Sequence, residues 1–66
     1  MPQSIIVEYT SGYRRWKSRL VGWRATLAYL RARRYCSNVV LKAATLHDYQ
    51  TMQSGILYSA RDGQFW

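Results

Sequence analysis

The period-two run over residues 4–10, followed by a glycine and a second run that places its charges on alternate positions, most constrains the fold. Ile5, Val7 and Tyr9 alternate with Ile6, Glu8 and Thr10 in a β-branched-rich segment, which is the pattern of a strand. Ser11-Gly12 offers a two-residue turn in which Gly12 supplies positive φ. Pairing Thr10 with Tyr13 puts Val7 opposite Trp16, Ile5 opposite Ser18 and Glu8 opposite Arg15. One face then collects Ile5, Val7, Tyr9, Trp16 and Leu20, and the other Glu8, Arg15, Lys17 and Arg19. A half-buried hairpin needs that sorting, including the opposite-charge cross-strand pair.

A rival pattern overlaps it. Tyr13, Trp16, Leu20, Trp23, Leu27 and Leu30 recur at three- and four-residue spacing, which fits a single helix from about residue 12 to 35. Such a helix would set Arg14, Arg15 and Lys17 at the positive end of its dipole, contain Gly12 and Gly22, and leave Glu8 without a partner. The hairpin is therefore preferred.

Beyond it, Thr26 reads as an N-cap and residues 27–35 as a helix, with Arg31, Arg33 and Arg34 near the negative C-terminal end. Ala25, Ala28, Tyr29, Ala32 and Cys36 share one face that can lie close on a sheet, while Leu27 and Leu30 widen the apolar arc. The pattern leaves open which arc faces the sheet. Residues 39–45 read as a third strand bearing Lys42, and residues 46–54 as a loop or a short turn of helix. Residues 56–60 read as a strand, and Asp62-Gly63 as a turn pairing Ala60 with Phe65. The expected fold is one α+β domain over residues 1–66, a small antiparallel sheet with one helix packed across it in the order ββαβββ.

With 66 residues the chain supports one small core and no deep cleft. The single cysteine, Cys36, permits no intramolecular disulfide and no multi-cysteine metal site. No stretch has the apolar length of a spanning helix, and Met1-Pro2-Gln3-Ser4 lacks the basic start of a signal peptide. A soluble, unprocessed cytosolic protein is expected, with no membrane partner. A monomer is expected too, although the edge of an open sheet permits dimerisation.

Catalytic constellations are sparse. His47-Asp48 is the one His-acid neighbour pair, and adjacency in sequence does not aim two side chains at each other. Cys36 reads as a small packed residue rather than a nucleophile. The glycines stand singly, so no phosphate-binding loop is formed, and the scattered His, Cys and carboxylates make no metal set. No enzyme activity, cofactor or metal is expected.

The charge is concentrated. Eight of the ten Lys and Arg residues lie between positions 13 and 35 with no acid among them, in a chain of net charge +7. Such a surface attracts nucleic acid, anionic membrane or acidic protein. Arg outnumbers Lys eight to two, which suits forked contacts to phosphate or carboxylate. The hairpin register divides the block into a row of Arg15, Lys17 and Arg19 on the outer sheet face and a cluster of Arg31, Arg33 and Arg34 on the helix. Trp16, Trp23 and Tyr29 are assigned to the core, and Tyr13 and Tyr35, beside the arginines, to partner contact.

The order of elements, the small-residue helix entered through Trp23-Arg24-Ala25-Thr26-Leu27 and closed by Cys36, and the terminal run from Gly55 to Trp66 resemble small phage and mobile-element proteins that include anti-CRISPR inhibitors of type I systems. The members the chain looks most like bind the backbone of a multi-subunit RNA-guided surveillance complex and obstruct the basic channel where target DNA hybridises. The resemblance implies a stoichiometric, non-catalytic inhibitor of a host multi-subunit nucleoprotein complex. The contact residues named above rest on charge alone. A surface this basic would be repelled by a basic DNA channel, so its counterpart would be acidic protein, guide RNA backbone or DNA itself. The alternative is a small basic nucleic-acid-binding module with no role in defence.

Overall fold

The structure, a computed structural model, describes residues 3–61. The elements are β1 (Ser4–Ser11), β2 (Arg14–Val21), α1 (Trp23–Tyr35), β3 (Ser37–Ala43), α2 (Leu46–Thr51) and β4 (Leu57–Arg61). All neighbouring strands are antiparallel in one sheet of order β3-β1-β2-β4. The α+β class is as expected. The element order becomes ββαβαβ over the described residues, because the stretch expected as a loop or a short turn of helix after β3 forms the short helix α2. The hairpin expected through Asp62-Gly63 falls outside the described residues.

The β1–β2 hairpin replaces the rival long helix, with its register moved by two residues. Ser11 pairs with Arg14, Tyr9 with Trp16, Glu8 with Lys17 and Val7 with Ser18. The turn residues are Gly12 and Tyr13 rather than Ser11 and Gly12. Gly12 has φ 63°, and Tyr13 is not among the residues of positive φ. That is the type II′ arrangement, which places glycine first in the turn and matches the twist of the strands. A slip of two keeps every side chain on its expected face, whereas a slip of one would have reversed them all.

The helix begins four residues earlier than expected. Gly22, at φ 63° and ψ −135°, is the N-cap without a side-chain bond, so the chain turns on its glycine and Thr26 lies inside the helix. Ala25 and Ala32 are buried and Ala28, Tyr29 and Cys36 half-buried, so the small-residue face lies on the sheet and Leu27 and Leu30 point away. Trp23, expected in the core, is 71% exposed.

Both faces of the sheet are covered. Ile6 and Val7, successive residues of β1 that point to opposite faces, are each fully buried. The Val7 and Tyr9 face meets α1, and the Ile6 and Glu8 face meets α2 through Lys17 and Arg19. The expected single covering helix is thus corrected to one helix on each side.

α2 owes its existence to a reciprocal cap. The Thr45 hydroxyl accepts from the Asp48 N–H at 3.3 Å, and the Asp48 carboxylate accepts from the Thr45 N–H at 2.9 Å and its hydroxyl at 3.0 Å. A six-residue helix would not persist alone, and this one is fastened to the sheet. Met52 is buried beneath it, the Ser4 N–H donates to the Tyr49 hydroxyl at 2.8 Å, and the Gly55 N–H donates to the Arg19 carbonyl at 2.8 Å.

Candidate partner-binding face

The two expected cationic patches have different fates. Arg15, Lys17 and Arg19 do share one face, but α2 covers the Lys17 and Arg19 part of it. Lys17 is only 8% exposed, and its ammonium lies 3.1 Å from the Asp48 carboxylate. Arg19 donates to the Met52 carbonyl at 3.1 Å and the Ser4 hydroxyl at 2.9 Å, with its guanidinium 4.7 Å from the centre of the Tyr49 ring. Glu8 lies between Arg15 at 3.4 Å and Lys42 at 2.8 Å, which preserves the expected Glu8–Arg15 attraction as a diagonal contact. Reading Arg15, Lys17 and Arg19 as an open row for a partner is corrected for two of the three: Lys17 and Arg19 hold α2 to the sheet, while Arg15 lies beside Glu8 and stays exposed.

Titration follows from this packing. Burial pushes the Asp48 carboxyl up, but the bonds from the Thr45 N–H, the Lys17 ammonium and the Thr45 hydroxyl, with the Lys17 charge, outweigh it and hold Asp48 below its ordinary value. The hydrogen bond from the Ser4 backbone likewise holds the Tyr49 phenol below its usual value. His47, the sequence neighbour of Asp48, is exposed on α2, while the Asp48 carboxylate is committed to Thr45 and Lys17.

α1 presents the opposite situation. With Ala25, Ala28 and Ala32 inward, the helical repeat puts Trp23, Leu27, Leu30 and Arg34 along the outermost line. Trp23, Leu27 and Leu30 are 71%, 47% and 56% exposed. Arg24 and Arg31 flank this ridge on one side and Arg33 on the other. Arg33 and Arg34 occupy the last turn, where cations suit the helix dipole, and the helix contains no acid. Among the described residues the two acids, Glu8 and Asp48, both belong to the other face of the sheet, so no carboxylate there neutralises α1.

Three of the four arginines of α1 rest on aromatic rings instead. Guanidinium carbons lie 5.8 Å from the Trp23 ring for Arg24, 5.6 Å from Tyr29 for Arg33 and 5.5 Å from Tyr35 for Arg34. Beside the helix an open cleft of about 340 Å³ is lined by Tyr9, Ala28, Arg31, Ala32, Tyr35 and Cys36. Burial, and next the Cys36 thiol, raise the Tyr9 phenol above its ordinary value, partly offset by Arg31.

Of the expected contact residues, the structure therefore groups Arg31, Arg33, Arg34 and Tyr35. Ser37, just after α1, pairs with Thr10, so the C-terminal end of α1 lies at the hairpin-turn end of the sheet. Tyr13 is 96% exposed at that turn. Arg24, Trp23, Leu27 and Leu30 were not among the expected contacts. The alanine spacing at 25, 28 and 32 was the signal that could have turned them outward.

The chain matches no known family model, no curated protein and no solved structure.

Proposed function

We propose that this protein is a non-catalytic binding module that docks α1 on an anionic macromolecular surface. The observation that carries this reading is the contrast in compensation: the cations of the α2 face are engaged within the fold, whereas Arg24, Arg31, Arg33 and Arg34 line an exposed helix with no acid opposite them among the described residues. Folding gains nothing from four adjacent guanidiniums, and an anionic partner does.

The resemblance drawn from the sequence makes a host CRISPR surveillance complex in the bacterial cytoplasm the partner to examine first, with the protein blocking target DNA recognition stoichiometrically. The test is interference with a targeted plasmid in a panel of bacteria carrying type I systems. Expression of the protein should restore plasmid transformation in at least one host, and Arg31→Glu/Arg34→Glu should abolish that protection. Failure of the folded protein to protect any host removes the inhibitor role.

The same arginines favour a second reading, direct contact with DNA or RNA backbone. If about four phosphates are neutralised, log K should fall with log salt at a slope of roughly −3 to −4. No binding to any oligonucleotide at low salt discards it.

A further inference from the structure

We propose that the ridge of α1 receives an acidic amphipathic helix from a protein subunit, rather than a nucleic-acid backbone or a lipid surface. The inference rests on the anionic-partner reading above and adds the partner's chemistry. A phosphate ladder has use for Arg24, Arg31, Arg33 and Arg34 but none for two leucines, and Leu27 and Leu30 are each about half exposed in the middle of those arginines. A bilayer would need a broad apolar sector. Here the sector is one residue wide and is closed at its C-terminal end by Arg34.

A facing helix fits both features at once. Trp23, Leu27 and Leu30 follow four- and three-residue spacing, the arrangement that receives apolar side chains of a second helix between its own. Carboxylates on the edges of that helix would reach Arg24 and Arg31 on one side and Arg33 on the other, with forked guanidinium bonds setting its register. Because Arg24, Arg33 and Arg34 already lie on Trp23, Tyr29 and Tyr35, less side-chain freedom is lost on binding. Trp23 and the arginines are the residue types that dominate such interfaces.

The experiment titrates the full chain, observed by amide NMR and anisotropy, with four probes. These are a synthetic peptide with leucines at helical spacing flanked by glutamates, a scrambled peptide of the same composition, a single-stranded oligonucleotide, and phosphatidylglycerol-containing vesicles. The patterned peptide should perturb the amides of residues 23–34 and bind about 10-fold or more tightly than the scramble. Leu27→Ser should weaken it about 5- to 10-fold while leaving any oligonucleotide affinity unchanged. Leu27 is a surface residue, so the variant folds, and its NMR spectrum verifies that. Equal binding of the two peptides, a silent Leu27→Ser, or binding of the oligonucleotide or vesicles alone overturns the helix proposal and leaves an anionic partner standing. Binding of none of the four probes overturns both.

Discussion

The two faces of the sheet carry similar numbers of cations and use them in opposite ways. On the α2 side Lys17, Arg19, Arg15 and Lys42 surround Glu8 and Asp48, and each has a partner within the fold. On the α1 side Arg24, Arg33 and Arg34 lie on aromatic rings, and with Arg31 they meet no carboxylate among the described residues. A basic residue in a small protein thus means little until its acid is located. Where a cation is matched and buried it holds elements together, and where it is unmatched and exposed it is available to another molecule.

The largest effect should come from breaking the matched side. Asp48→Ala removes the carboxylate half of the α2 capping box and leaves the Lys17 ammonium without its carboxylate, costing about 3–5 kcal/mol, much of the stability of a domain this small. Urea denaturation measures it. Lys17→Met/Asp48→Asn should recover at least half of that loss, because no lone charge is then buried and the amide can still accept from Thr45. Failure to recover would mean that the ion pair itself, rather than the avoided lone charge, stabilises this face.

Acid should separate the faces next. Asp48 has its folded-state value held below the ordinary 3.8, so its contribution is complete above that value and is lost as the pH falls through the depressed one. The urea midpoint should drop in that range for the native chain and less for Asp48→Asn, whereas α1 carries no carboxylate to protonate. Parallel pH curves for the two proteins would remove Asp48 from the acid response.

The smallest change in stability belongs to α1. Arg31→Glu/Arg34→Glu should shift unfolding by about 1 kcal/mol or less, mostly through the helix dipole, while reducing binding of an anionic partner more than about 30-fold. A loss of several kcal/mol would show that these arginines are structural and would erase the contrast.

Much of the architecture was legible in the sequence because period-two alternation fixes faces even where it misplaces partners. Glu8 and Lys17 were assigned to one side and Val7 and Trp16 to the other, and both assignments survive the two-residue change of register. The register itself was misread because Ser-Gly and Gly-Tyr are both competent two-residue turns, and the geometry of Gly12 decides between them. α2 was less visible, since six residues give too little periodicity, although Thr45 and Asp48 spell its capping box. The candidate site was half legible. Composition located Arg31, Arg33 and Arg34, but no local pattern shows that Lys17 meets Asp48, a residue 31 positions away whose position depends on β3 and α2.

Asp48 also binds two otherwise separable pieces of the molecule into one cooperative unit. A helix as short as α2 would ordinarily open and close far faster than the sheet beneath it. Here its N-terminal carboxylate is also the counter-charge of a strand lysine, so fraying α2 strips Lys17 of its partner. The C-terminal amide of the helix, Met52 N–H, which donates to the Asp48 carbonyl at 2.9 Å, should therefore exchange with solvent at a rate close to that of the central strand β1.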